Sequence, residues 1–298
     1  MPPEVVFLNG SFVPYEQAVV PVEDRGFLFA DAIYEVIRCY GGRFFRLNDH
    51  LERLEQSAAA LEIPLPYDRA RWTAVLEELI QRNGVRDGSV YVQVSRGVSP
   101  RSHTWPGGLQ PTVVAIARSG GAPAPEAVRQ GVKAITVPDN RWGLCWVKTT
   151  GLLPNVLAKQ QAARAGAYEA LFVRDGLLTE GTSSNVFVVL DGVLYTHPLA
   201  NILPGVTRTV VLEVAREAGI PVREQAIPVR WLERASEVVL SGTNSEVLAV
   251  VEVDGRPVGD GRPGPVFARL RQGYLARVAA ETGAPVDAGT EAGTGTGA

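Results

Sequence analysis

Apolar positions along this chain follow two rhythms, and the switches between them mark out its elements. Val5 to Leu8, Asn9-Gly10 and Phe12-Val13 read as a hairpin, because Asn-Gly tolerates the positive φ angles of a tight turn. Ile33 to Tyr40, the Gly41-Gly42 turn and Arg43-Phe44-Phe45 predict a second hairpin. Helical spacing then takes over. Leu51, Leu54, Ala58 and Leu61 follow a capping Asn48 or Asp49, and Trp72, Val75, Leu76, Leu79 and Ile80 run up to a stop at Asn83-Gly84. Strands are predicted from Ser89 to Ser95 and from Pro111 to Ala117.

The segment Ser119 to Pro125 carries Gly, Ala and Pro without apolar periodicity, as expected of an interdomain linker. Beyond it, Asp175-Gly176, Asp191-Gly192 and Asp254-Gly255 predict three hairpin turns. A helix from Val206 to Ala218 points Val206, Val210, Leu212 and Val214 at a core, and strands recur at Glu237 to Leu240 and Val247 to Val253. Val266, Leu270, Tyr274 and Val278 mark a last helix. These boundaries give a two-domain α+β chain: a first domain over 1–118, a linker over 119–127 and a second domain over 128–282. The Gly/Ala/Thr-rich end, 283–298, is expected to be disordered.

Composition narrows the function classes. A net charge of −3 and no basic stripe argue against nucleic acid or a membrane surface as partner. The longest apolar stretches are strand-sized, so no transmembrane helix is expected, and Met1-Pro2-Pro3-Glu4 does not open a signal peptide. Cys39 and Cys145 lie far apart and outside any metal-ligand pattern. A reduced cytoplasmic protein, with neither disulfide nor metal, is the expectation.

Only three of the 29 basic residues are lysines: Lys133, Lys148 and Lys159. Arginine can replace lysine on solvated faces, but guanidinium cannot lose its proton to condense with an aldehyde. Lys148 closes the apolar run Leu144-Cys145-Trp146-Val147, a setting that favours a free, nucleophilic amine. Taken alone, it reads as a surface strand lysine or one that snorkels from a core edge.

Downstream, Thr179-Glu180-Gly181-Thr182-Ser183-Ser184-Asn185-Val186-Phe187 places an acid, a glycine and small hydroxyl residues at the entrance to an apolar strand. That suits a cofactor-lining loop, or an ordinary polar connection between hairpins. Leu203-Pro204-Gly205-Val206-Thr207-Arg208 opens a helix whose first amides lack intrahelical acceptors, a ready anion site, though capping alone also explains Thr207. Ser241-Gly242-Thr243-Asn244 is a second small-residue loop after a strand. An amine for an aldehyde, a carboxylate for a ring nitrogen and a helix start for a phosphate together describe pyridoxal 5′-phosphate, the electron sink of amine-to-carbonyl chemistry.

From about Val6 to Asp260 the chain resembles the fold-type IV pyridoxal-phosphate enzymes, which include branched-chain aminotransferases, D-amino acid transaminases and aminodeoxychorismate lyases. The likeness rests on Glu180-Gly-x-x-x-Asn185-Val-Phe, on Asp24-Arg25-Gly26-Phe27-Leu28-Phe29-Ala30-Asp31-Ala32-Ile33-Tyr34-Glu35 and on His50-Leu51-Glu52-Arg53-Leu54. It implies that Lys148 bonds the cofactor aldehyde and that Glu180 pairs with the pyridinium nitrogen. Arg53, the Val206 amide, Thr207 and Thr243 would hold the phosphate, Leu203 would pack on the ring, and Ser184 would line the pocket. His50 reads as a residue behind Glu180 or as a buried structural histidine, and His197 as an ordinary solvated loop residue.

Within that family the chain is most similar to the D-amino acid transaminases, through Val94-Ser95-Arg96-Gly97-Val98-Ser99-Pro100-Arg101-Ser102-His103. There the Arg-x-His pair reaches across a dimer interface and, with the tyrosine matching Tyr34, binds the substrate α-carboxylate. Without that likeness, Arg101 and His103 would read as solvated loop residues. Thr149-Thr150-Gly151 departs from the subgroup's serine, leucine and asparagine, and Gly242 stands where the subgroup has a hydroxyl. The resemblance therefore implies a two-domain fold-type IV, D-amino acid aminotransferase-like homodimer with its active site at the domain interface. It would move an amino group from a D-amino acid, such as D-alanine, to a 2-oxo acid, such as 2-oxoglutarate. The alternatives are an L-branched-chain or amine transaminase, an aminodeoxychorismate lyase of the same fold, or a protein that binds pyridoxal phosphate without turnover.

Overall fold

The structure, a computed structural model, describes residues 3–285. The chain forms two compact units and crosses between them three times: Met1–Gly121 and Trp142–Leu153 make the first, Ala122–Arg141 and the chain from Pro154 onward the second.

In the first unit, β1 (Val5–Leu8) and β2 (Ser11–Pro14) turn at Asn9 and Gly10, whose φ angles are 46° and 95°. Then come α1 (Arg25–Phe29), β3 (Ala32–Tyr40), β4 (Arg43–Phe44), α2 (Leu47–Ala60), α3 (Arg69–Arg82), β5 (Gly88–Ser95) and β6 (Thr112–Ser119). The strands form one antiparallel sheet in the order β2-β1-β6-β5-β3-β4. Val90, Val92 and Val94 alternate onto one face of β5, where α2 and α3 cover the sheet with Leu51, Leu54, Trp72, Leu76 and Leu79. Asp68 caps α3 by accepting from the Arg71 amide at 2.8 Å. The cap expected for α2 is different. Arg46, in the left-handed region at φ 55°, turns the chain straight into Leu47, so Asn48 and Asp49 lie inside the first turn. Asp49 there favours the positive end of the helix and pairs with Arg46 at 3.3 Å.

Residues 142–153 fall within the second domain as read from sequence, yet their backbone ties them to β3 of the first unit. The Tyr34 amide donates to the Lys148 carbonyl at 3.0 Å, the Thr150 amide donates to Ala32 at 3.1 Å, and Thr149 forms a bridge with Ile33. The edge of β3 thus fixes the lysine's main chain.

The second unit runs through α4 (Pro125–Gln130), β7 (Val132–Pro138), α5 (Leu153–Arg164), β8 (Glu169–Arg174), β9 (Leu177–Gly181), β10 (Asn185–Leu190) and β11 (Val193–Thr196). It continues with α6 (Val206–Glu217), β12 (Val222–Glu224), β13 (Ile227–Pro228), β14 (Glu237–Gly242), β15 (Glu246–Val253), β16 (Arg256–Pro257) and α7 (Pro265–Thr282). Its strands join in the order β12-β11-β10-β14-β15-β7-β8-β9-β13, with β16 on β15. The three Asp-Gly turns have Asp φ angles of 52°, 50° and 51° at Asp175, Asp191 and Asp254, as the hairpins require. Helices α6 and α7 pack on each other and on β14, and α7 also packs on β15. The buried stripe of α7 is Phe267, Leu270, Tyr274 and Val278, so Phe267 takes the inward place expected of Val266.

Periodicity does not reveal α1, β7, α4, which starts inside the expected linker, or the longer helix α5. It buries the small Ala158 and Ala162 against Val137, Ala170 and Phe172, and leaves Val156 and Leu157 exposed. Of the expected tail, Gly283 caps α7 at φ 68°, and residues 286–298 lie outside the described part. Among the described residues, no helix is long and apolar enough to cross a membrane.

Candidate active site

Tyr34 and Lys148 meet in the first unit. The Lys148 amine lies 3.3 Å from the Tyr34 hydroxyl and 4.3 Å from the centre of its ring. The Lys148 amide donates to Ser57 Oγ of α2 at 3.1 Å, so strand and helix both hold this residue. Its apolar run is only half inside: Cys145 and Val147 are buried, whereas Leu144 and Trp146 are 44% and 38% exposed. Tyr91, across the sheet, has its ring 5.6 Å from that of Tyr34. Burial first, and then Tyr34, push the Tyr91 phenol up to about 12, and its hydroxyl donates to Gln93 Oε1 at 2.7 Å.

Beside them sits a buried charge cluster. Arg53 donates from Nε and Nη2 to the two Glu35 oxygens at 2.7 and 2.9 Å, a bidentate pair. Burial alone would raise the Glu35 carboxyl, but Arg53 and His50 outweigh it and hold it well below the usual carboxylate range. A carboxylate only accepts, so His50 Nδ1 carries the proton it shares with Glu35 Oε2 at 2.8 Å. Burial lowers the His50 imidazole and keeps it neutral, even with Glu35 opposing. Glu35 therefore orients both Arg53 and His50, and this cluster puts His50 in the first unit, whereas Glu180 belongs to the second.

In the second unit, the spacing of Glu180-Gly181-x-x-x-Asn185 has a local explanation. Asn185 Nδ2 donates to Glu180 Oε2 at 3.0 Å and to the Leu203 carbonyl at 2.9 Å. The Leu203 amide donates back to both Glu180 oxygens, at 3.2 and 3.0 Å. One asparagine thus fixes the acid and the loop that leads into α6. A Cβ at 181 would come within 2.3 Å of Ser184 Oγ and displace the hydroxyl that Glu169 holds. A Cβ at Gly205 would meet Asn185 Oδ1 at 2.0 Å and push aside the side chain that holds Glu180.

Arg141, with no role read from the sequence, completes this half. It donates from Nη1 to Glu180 and from Nη2 to Asp139 at 2.9 Å, and its guanidinium stacks 4.3 Å from the Phe172 ring centre. Burial alone would disfavour the charged forms of Asp139 and Arg141, but their pairing outweighs it in both. Glu169 was missed as well. Buried in β8, it accepts from Thr182 Oγ1, from Ser184 Oγ at 2.9 Å and from Ser183 Oγ at 3.4 Å. Ser184 is thus oriented by a carboxylate behind it.

The start of α6 and the β14–β15 turn carry this half's candidate anion-binding groups. Gly205 provides no side chain to cap α6, and Val206 and Thr207 in the first turn are buried. Ser241 Oγ, at the end of β14, is buried without a hydrogen-bond partner. Thr243 is partly exposed in the turn that follows. An uncapped helix start and an orphaned hydroxyl suit a phosphate.

Arg101 and His103 lie elsewhere in the first unit, exposed on the loop between β5 and β6. The Phe29 ring centre is 5.3 Å from the Arg101 guanidinium and 5.7 Å from the His103 ring. The sequence-identified residues therefore divide: Tyr34, Arg53, Arg101, His103 and Lys148 belong to the first unit, and Glu180, Ser184, Leu203, Val206, Thr207 and Thr243 to the second.

Known proteins resemble this chain over most of its length. The chain is 42% identical over 271 residues to a D-alanine aminotransferase of Staphylococcus haemolyticus, covering 90% of this chain and 96% of that protein. It is 42% identical over 278 residues to a D-alanine aminotransferase of Bacillus licheniformis, covering 93% and 98%. The branched-chain amino acid aminotransferase of Escherichia coli superposes with a TM-score of 0.88 at 31% identity, over 96% of this chain and 97% of that one. The branched-chain enzyme of Thermobaculum terrenum, solved in its PLP holo-form, gives 0.82 at 26% identity, over 94% and 95%. Residues 32–253 match the pattern of the amino-transferase class IV family, and the chain belongs to that family, the fold-type IV aminotransferases.

Proposed function

We propose that this enzyme moves the amino group of a D-amino acid, such as D-alanine, to a 2-oxo acid, such as 2-oxoglutarate, as a cytoplasmic homodimer using pyridoxal 5′-phosphate. The observation that carries the D-amino acid reading is the Arg101-Ser102-His103 loop, whose side chains are solvent-exposed and offer a carboxylate its donors. The 42% identity to two D-alanine aminotransferases supports it.

Bound pyridoxal 5′-phosphate supplies an electron sink for the bond broken at the substrate α-carbon. Lys148 Nζ would hold the cofactor's aldehyde carbon and would carry the substrate's α-proton. Glu180, its oxygens set by Asn185, Leu203 and Arg141, would pair with the ring nitrogen. The Val206 amide, Thr207, Thr243 and Arg53 would hold the phosphate, Ser184 would line the pocket and Leu203 would pack on the ring. Tyr34, with Arg101 and His103 of the partner subunit, binds the α-carboxylate.

Steady-state kinetics with paired D- and L-alanine test the reading, and kcat/KM for D-alanine should be the larger. An L-branched-chain preference is the second reading, favoured by the superposition on two branched-chain enzymes, and a higher kcat/KM for L-substrates would establish it.

Glu180→Gln should retain the cofactor and lose about two orders of magnitude in turnover, equivalent to about 2.7 kcal/mol. The amide still accepts from the Leu203 amide but brings no negative charge to the ring nitrogen, so the electron sink weakens. Absorbance titration confirms loading, and near-native turnover of the loaded variant would refute the role.

A further inference from the structure

The loop from Gly97 to Gln110 crosses from β5 to β6 without regular structure, and residues 101–104 are exposed. Burial of those side chains does not hold the loop. Its base is closed by backbone bonds: the Arg25 amide to Gly97 at 2.9 Å and the Ser99 amide to Glu23 at 3.3 Å. Its tip is held by something else. Arg25, buried at the start of α1, donates from Nη1 to the Ser102 carbonyl at 2.7 Å and from Nη2 to the His103 carbonyl at 3.4 Å.

Arg25 is itself held. Its Nε donates to Asp31 Oδ2 at 2.8 Å. The buried Arg96 donates to both Asp31 oxygens, at 2.8 and 2.9 Å, and to the Leu61 and Glu62 carbonyls at 2.6 and 3.0 Å. Burial would raise the Asp31 carboxyl, but the hydrogen bonds from Arg96 and Arg25 prevail and keep it an acceptor-only carboxylate. Trp105, further along the loop, lies over the Arg96 guanidinium at 3.8 Å, and Phe29 lies against Arg25 at 4.9 Å.

We propose that Arg25, Asp31 and Arg96 are positioning residues for substrate carboxylate binding: they clamp the main chain of Ser102 and His103, so that Arg101 and His103 project in one arrangement. The inference rests on the reading of Arg101 and His103 as the carboxylate-binding pair. Two buried guanidiniums sharing one carboxylate are more than a loop base needs, and the one that reaches the loop binds the carbonyls of residues 102 and 103. Arg25 is suited to this because its planar fork spans two acceptors while its Nε stays on Asp31; lysine has no such geometry. Fixing the loop before substrate arrives lowers the ordering cost of binding, so the clamp acts on KM more than on kcat.

The test is Arg25→Met, which keeps bulk and removes the fork. KM for D-alanine should rise about tenfold, more than kcat falls. In an Arg101→Ala background the same change should raise KM by less than about twofold, because its target is gone. Should Arg25→Met fail to fold, Trp105→Ala decides, since that ring is 45% exposed and its loss spares the core. It should raise KM for D-alanine about threefold, again only while Arg101 is present. A folded Arg25→Met, or in its place Trp105→Ala, with parental KM would overturn the clamp, as would effects that multiply independently of Arg101. If Arg101→Ala itself leaves KM unchanged, the premise falls and takes the clamp with it. A shift for Arg101→Ala beside none for Arg25→Met overturns the clamp alone.

Discussion

Borohydride reduction of the cofactor-loaded enzyme should fix the pyridoxyl label on Lys148, and Lys148→Ala should lower turnover by about four orders of magnitude, equivalent to about 5.5 kcal/mol. The other two lysines are already engaged. Lys133 pairs with Glu252 at 2.9 Å, and Lys159 pairs with Glu169 at 3.3 Å and donates to the Tyr168 carbonyl. The Lys148 amine has a phenol as its neighbour, at 3.3 Å, and its main chain is fixed by β3 and Ser57. In the proposed reaction Lys148 is both the group that would hold the aldehyde and the base that would move the α-proton, which is why the expected loss exceeds that for any other single site here. Peptide mapping checks the label, and recovery of it on Lys133 or Lys159 would remove Lys148 from the mechanism. An arginine at 148 should not rescue turnover, because guanidinium does not give up its proton.

What the sequence makes legible depends on how local its cause is. Asn9-Gly10 and the three Asp-Gly pairs announce hairpins because positive φ angles are needed at those residues themselves. The Glu180-to-Asn185 spacing is legible for the same reason, since five residues suffice to close a hydrogen bond between the two side chains. Arg141 was illegible: its Glu180 partner lies 39 residues away, and a guanidinium beside Asp139 looks like any surface pair until β7 and β9 place them together. Glu35 and Arg53 are 18 residues apart on a strand and a helix, and only their packing reveals that Arg53 carries a carboxylate on two of its nitrogens. Helix α5 escaped because periodicity tracks large apolar residues, whereas this helix buries alanines and exposes Val156 and Leu157. The capping reading for α2 failed at Arg46, whose left-handed backbone starts the helix without a side-chain acceptor. The unit that holds residues 142–153 was equally hidden, being set by pairing with a strand more than a hundred positions earlier.

Arg101→Ala should raise KM for D-alanine and reduce kcat/KM by roughly 3 kcal/mol, within the 2–4 kcal/mol range for losing a charge-assisted contact to a partner left unpaired. The guanidinium leans on Phe29 at 5.3 Å and is otherwise exposed, so truncating it leaves the fold of its own unit intact and reports on binding. Amines that lack a carboxylate never use this contact, and their kcat/KM should fall much less. Whether the contact is made across a dimer is a separate matter, which mixing chains resolves. In the proposed homodimer, Lys148→Ala and Arg101→Ala would each impair both sites. In a mixed dimer with trans contacts, one site combines an intact lysine with an intact arginine and the other has neither, so activity should partly return on mixing. With cis contacts every site keeps one defect, and mixing restores nothing even when hybrids are demonstrated by mass spectrometry. If D-alanine kinetics are indifferent to Arg101→Ala and L-substrates are preferred, the loop binds no α-carboxylate and the L-branched-chain reading takes its place.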